Sequence, residues 1–154
     1  MTKHGQCRNV LTRSLKKLKV VGKLALDTNA VIAYREGISE VCKLVDNANV
    51  IILPVTVIGE LLYGALNSTK IRNNEKFVHK FVEYSLVMPI DESVAAHYAK
   101  VRFDLKRRGN PIPENDIWIA ATCLVLEVPL LSRDDHFKLV PGLNVISWEN
   151  TGGN

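Results

Sequence analysis

Short, continuous apolar runs alternate with longer segments of helical spacing along most of this chain, and that alternation leaves few folds open to it. Residues 19–26, Lys19-Val20-Val21-Gly22-Lys23-Leu24-Ala25-Leu26, read as a buried strand. Asp27-Thr28-Asn29 ends the strand and opens a helix, since each of the three can cap. A second helix is predicted over about Ser39 to Asp46. Val50-Ile51-Ile52-Leu53 is a second strand, continuously apolar and β-branched as parallel-sheet strands are. Pro54 suits a helix start nearby. Val57, Ile58, Leu61, Leu62, Ala65 and Leu66 then follow the spacing of one helical face. Asn73 to Ser85 predicts another helix, with Phe77, Phe81 and Tyr84 on a core-facing stripe. Leu86-Val87-Met88 is a short strand. A helix opens at Asp91-Glu92-Ser93, carries Val94, Tyr98, Val101 and Leu105, and ends at Gly109. Glu114 to Glu127 is helical, and the last strands are predicted at 128–131 and 144–147. Strands alternating with helices predict an α/β sandwich around a mostly parallel sheet.

With 154 residues, 47% apolar and 23% charged, the chain suits one domain with a sizeable core. No apolar run approaches the roughly 18 residues that span a bilayer, and no apolar signal segment precedes the first strand. Three cysteines without a CxxC pair suggest neither a disulfide framework nor a zinc site, and Cys42 and Cys123 read as buried thiols. These features predict a cytoplasmic protein without a membrane partner. The net charge of +4 is unevenly spread. Residues 1–26 hold seven of the 20 basic residues and none of the 16 acids, so the remainder carries a net −3. The basic character therefore belongs to a leader, residues 1–19, expected to be flexible or a short helix. It holds too few apolar groups to be essential to the core. The domain is expected over 20–148, with a tail at 149–154.

Four acids stand where core residues are expected. Asp27 follows Leu24-Ala25-Leu26 at a strand's carboxyl end, the edge of an α/β sheet where sites form. Glu60 lies beside Leu61 and Leu62. Asp116 is in the first turn of an apolar helix, and Asp134 follows Leu130-Leu131-Ser132-Arg133 at another strand end. Each alone also has a plainer use: Asp27 as a cap, Asp116 beside a helix dipole, Glu60 as a solvated helix position, Asp134 in a turn. As a cluster they would repel one another and call for a cation. All-oxygen ligands without histidine or cysteine favour Mg²⁺ or Mn²⁺ over zinc. Such ions activate water and stabilise phosphodiester charge during displacement.

Four segments carry a resemblance. They are Leu24-Ala25-Leu26-Asp27-Thr28-Asn29, Ile58-Gly59-Glu60-Leu61-Leu62-Tyr63-Gly64-Ala65, Ile112-Pro113-Glu114-Asn115-Asp116-Ile117-Trp118-Ile119-Ala120-Ala121, and Leu130-Leu131-Ser132-Arg133-Asp134-Asp135-His136-Phe137. In order and rough spacing they resemble the four signatures of PIN domains, and look most like the VapC-type toxins of toxin–antitoxin systems. The resemblance covers about residues 22–148. It implies a PIN-like three-layer α/β/α sandwich that cleaves RNA with Mg²⁺ or Mn²⁺, forms a homodimer and is blocked by a small cognate antitoxin. It places the catalytic acids at Asp27, Glu60, Asp116 and Asp134. Asp27 and Asp116, with Glu60 as a further candidate, would hold the cation, and Asp134 would act through water or a second metal. Thr28 and Ser132 would orient carboxylate or water. Arg133 is a candidate phosphate contact, as is Lys106-Arg107-Arg108, whose plainer use is a solvated helix end. Asp135 adjoins the fourth acid and would point elsewhere or cap a short helical turn. His136 is read as a packing or surface residue, with substrate contact as the alternative.

Two other classes compete. A non-catalytic interaction module of the same fold would keep these acids as caps and show no metal-dependent cleavage. A receiver-type phosphoacceptor domain wants an acidic pair after its first strand and a late lysine. Here Asp27 stands alone and residues 129–133 contain no lysine. A 5′-nuclease relative would need a helical arch for which the chain lacks length.

Overall fold

The computed structural model describes residues 22–149. The expected leader, the first residues of the first strand and the tail from residue 150 lie outside the described residues. The described part is an α/β sandwich in which helices flank a five-stranded parallel sheet. Its strands are β1 (Lys23–Leu26), β2 (Val50–Pro54), β3 (Leu86–Met88), β4 (Leu130–Leu131) and β5 (Val145–Ile146). Its helices are α1 (Thr28–Arg35), α2 (Ser39–Asn47), α3 (Val55–Leu66), α4 (Ile71–Glu83), α5 (Glu92–Arg107) and α6 (Glu114–Leu126). A 3-10 turn, Asp135–Leu139, follows β4. No helix among the described residues is long and apolar enough to cross a membrane.

The sheet runs β3-β2-β1-β4-β5 and every pairing is parallel. The central strand β1 is covered on both faces, so Leu24, Ala25 and Leu26 are all fully buried. That explains its continuous rather than alternating apolar sequence. Ala25 pairs with Ile52 on one side and Leu130 on the other. Phe137 is fully buried and anchors the 3-10 turn to the core.

The element boundaries follow local chemistry. The Asp91 carboxylate accepts from the Val94 amide at 2.9 Å and caps α5. Asp91→Ala is expected to lower unfolding stability by about 1 kcal/mol, measured by denaturant titration. Gly109, at φ +72, ends the same helix in a conformation glycine tolerates.

Four expectations need correction. Helix α4 ends at Glu83, where the Ser85 hydroxyl donates to the Phe81 carbonyl, and Tyr84 is 70% exposed rather than in the core. Phe77 and Phe81 do pack against the core, and Tyr34 meets Phe81 edge-on at 5.6 Å. Strand β4 begins at Leu130 rather than Val128. The Val128 amide bonds back to the Cys123 carbonyl to close α6, and Pro129 has no N–H to give a ladder. The helix itself stops one residue short of Glu127, which turns left-handed at φ 53. Finally, Cys42 is buried but disulfide-bonded rather than a free thiol, and Cys123 is the buried free thiol among the described residues.

Candidate active site

From β1 the chain builds outward through β2 and β3, then returns to β1's other side as β4. A reversal of this kind leaves a crevice at the strands' carboxyl ends. Asp27 is the first residue after β1, and Ser132-Arg133-Asp134 follow β4 directly. Parallel pairing of Leu26 with Leu131 brings these two segments to the same place. The Asp27 amide fixes the register by donating to the Leu131 carbonyl at 3.1 Å.

Asp27 is only 5% exposed. One carboxylate oxygen, Oδ1, accepts from the Thr28 amide at 2.8 Å. The other, Oδ2, accepts from the Ser132 hydroxyl at 2.7 Å and the Asn29 amide group at 3.1 Å. Burial pushes the Asp27 carboxyl up to about 6. The hydrogen bonds from Ser132 and Thr28 oppose the rise, while the charges of Asp116 and Glu60 add to it. Glu60 comes from α3. Its Oε2 accepts from the Thr28 hydroxyl at 2.8 Å, and its Oε1 is buried with no hydrogen-bond partner.

Asp116 enters from the first turn of α6, with its side chain 13% exposed. Burial raises its pKa; a hydrogen bond with His136 opposes this, and the Asp134 and Glu60 charges reinforce it. Asp134 caps the 3-10 turn by accepting from the His136 amide at 2.9 Å. His136 Nδ1 lies 3.1 Å from Asp116 Oδ2 and 3.0 Å from Asp134 Oδ1. The Asp134 amide in turn donates to Ser132 Oγ at 3.0 Å. Ser132 therefore joins the first acid to the fourth. Ser132→Ala should lower activity roughly 10- to 100-fold with the fold retained, as read by RNA cleavage rate alongside circular dichroism.

The structure thus gathers Asp27, Glu60, Asp116 and Asp134 at one sheet edge, with Thr28 and Ser132 among them. It does not bring in Asp135, whose side chain is 84% exposed and pairs with Lys138 at 2.7 Å. Of the two expectations for Asp135 it is the first, pointing elsewhere, that holds; the turn is capped by Asp134, whose extended backbone aims its carboxylate back over the turn. Arg133 is exposed, its guanidinium 5.5 Å from the centre of the Trp148 ring. Arg107 and Arg108 pair with Asp104 at the end of α5.

Two residues outside the four-acid pattern also belong to the cluster. Asn29 holds Asp27 and also accepts from the Arg133 amide at 3.3 Å, which ties the two strand ends together. His136 sits between two of the acids. Three side chains, Asp116, Asp134 and His136, each offer a ligand atom within 4.8 Å of the others. The local signal for both lay in their spacing, each two residues beyond an acid at a strand end.

The PIN domain model matches residues 24–143. The chain belongs to the PIN-domain family. It is 30% identical over 129 residues to ribonuclease VapC1 of Haemophilus influenzae, covering 80% of this chain and 96% of that one. The solved structure of VapBC-1 from nontypeable Haemophilus influenzae superposes with a TM-score of 0.71 at 26% identity, over 82% of this chain and 98% of that chain. VapBC-5 from Mycobacterium tuberculosis, a member of the VapBC family of toxin–antitoxin systems, gives a TM-score of 0.64 at 25% identity, over 82% of this chain and 97% of that one.

Proposed function

We propose that this protein is a divalent-metal-dependent endoribonuclease and the toxin of a toxin–antitoxin pair, acting on RNA to inhibit translation. The observation that carries the reading is the convergence of four acids on one crevice in a PIN domain, two of them with carboxyls raised by burial. The name of the Haemophilus influenzae relative supports the ribonuclease class, and the VapBC likenesses support the antitoxin partner.

The donor set fits a hard divalent cation. Buried carboxylates that raise one another's pKa are poorly tolerated without a counter-charge, and the orphaned Glu60 Oε1 is an acceptor in want of a partner. Asp27 and Asp116 would hold Mg²⁺ or Mn²⁺, with Glu60 and Asp134 completing the negative surround. When bound, the cation supplies Lewis acidity toward water and phosphate oxygen. The protein's own groups orient the site. Ser132 and Asn29 fix the Asp27 carboxylate, Thr28 fixes Glu60, and the 3-10 turn holds Asp134. Arg133, exposed and adjacent in sequence to the fourth acid, would be the phosphate contact. The active form is a homodimer in the cytoplasm.

Purified protein is expected to cleave RNA with Mg²⁺ or Mn²⁺ and to stop when chelator is added. Expression of the chain alone should arrest growth, and co-expression of a small adjacent antitoxin gene should relieve it. RNA left intact at every metal concentration would favour the non-catalytic interaction module instead.

A further inference from the structure

The side chain that the four-acid pattern leaves out is His136. Its position follows from the 3-10 turn: Asp134 caps the turn, and two residues later the chain has folded back far enough to bring the imidazole over both Asp134 and Asp116. One nitrogen, Nδ1, serves both carboxylates, at 3.0 Å and 3.1 Å. Two ligands set at right angles around one octahedral cation, each about 2.1 Å from it, lie about 3 Å apart. The nitrogen-to-oxygen spacings here match that edge. The same spacing serves a hydrogen bond when Nδ1 carries a proton, and a bound cation would take that proton's place between the three donor atoms.

Building on the metal-dependent reading above, we infer that His136 is a nitrogen ligand of the catalytic cation, which makes the centre a mixed nitrogen–oxygen site that favours Mn²⁺ over Mg²⁺. Mg²⁺ demands oxygen donors and gives up its water reluctantly. Imidazole donors instead suit the transition series, in which Mn²⁺ is the member closest to Mg²⁺ in its liking for carboxylate. A purely carboxylate centre would discriminate little between the two. His136 is half exposed and sits outside the core, so it can be replaced without opening a cavity.

The test is Mn²⁺ itself, titrated into the full chain and followed by the loss of the free-ion paramagnetic resonance signal, with pulsed measurements on the bound ion. Bound Mn²⁺ should show nitrogen-14 modulation in the wild type. His136→Gln should abolish it and weaken Mn²⁺ binding roughly 10- to 100-fold, while Mg²⁺ affinity, measured by competition, changes by less than about threefold. Asp116→Asn serves as the second variant. If it loses Mn²⁺ but the wild-type ion shows no nitrogen coupling, His136 is not a ligand and the carboxylate centre stands. If Asp116→Asn binds Mn²⁺ as the wild type does, the metal centre is elsewhere and both readings fall. Should His136→Gln fail to fold, absence of nitrogen coupling in the wild type still overturns the inference.

Discussion

Asp116→Asn is expected to lower metal-dependent RNA cleavage by at least about 100-fold while leaving the protein folded. The change removes one negative oxygen from the cluster at nearly constant volume. Two observations argue that the fold survives it. Asp116 lies in the first turn of α6 without any backbone amide depending on its side chain among the described contacts. Its pKa is raised chiefly by burial, so the fold penalises the negative charge more than water does, and a neutral side chain relieves that penalty. The asparagine oxygen can also keep the hydrogen bond to His136. Asp27→Asn should be as inactive but is a less clean test. Both oxygens of Asp27 already accept, and an amide nitrogen placed at Oδ2 would face the Asn29 donor. Cleavage rates and melting curves for Asp116→Asn, measured together, decide the point: wild-type cleavage by a folded variant would place the metal site elsewhere.

The sheet was legible because its strands are local. Leu24-Ala25-Leu26 and Val50-Ile51-Ile52-Leu53 are continuous apolar runs, and continuous runs in alternation with helices leave only a parallel sheet covered on both faces. An acid directly after such a run can be placed at a strand end from sequence, as Asp27 is, and Asp134 follows Leu130-Leu131 with only Ser132 and Arg133 between. Boundaries set by single hydrogen bonds were less legible. The Ser85 hydroxyl on the Phe81 carbonyl puts Tyr84 into solvent, and the closure of α6 by Val128 shortens β4. Least legible were residues whose partners are distant in the chain. The bond from Asn29 to Ser132 depends on the register between β1 and β4. His136 reaches Asp116, 20 positions earlier, only because the 3-10 turn and the start of α6 meet at the crevice. No periodicity encodes such a contact, so the sequence alone predicts a cluster free of histidine.

In chelator, the protein is expected to be more stable near about pH 5 than near about pH 7.5, and a divalent cation should reverse that order. The cause is Asp27, whose carboxyl stands at about 6 in the fold against an ordinary 3.8, mainly through burial. Well below pH 3.8 the folded and unfolded chains both hold the proton, and the group contributes nothing to the pH dependence. Between 3.8 and about 6 the unfolded chain releases its proton while the folded one keeps it. The folded state then binds more protons, so stability falls as pH rises. Above about 6 the loss is complete, at about 3 kcal/mol for this one group. Asp116, raised for the same reason, adds in the same direction. Exposed Asp135, lowered by its hydrogen bond to Lys138, acts in the opposite sense but only below pH 3.8, outside this window. Roughly half of the Asp27 loss falls between about pH 5 and about pH 7.5, so the melting temperature should drop by on the order of 5 °C between them in a domain of this length. Divalent cations bind the ionised carboxylates and compete with the proton, so their affinity rises over the same window. Mn²⁺ should therefore raise the melting temperature far more near about pH 7.5 than near about pH 5. Thermal unfolding at both pH values, with chelator and with Mn²⁺, measures both trends. An equal gain from Mn²⁺ at the two pH values would mean that the cation binds without meeting the buried carboxylates, and would separate the acids at the strand ends from the metal they are proposed to hold.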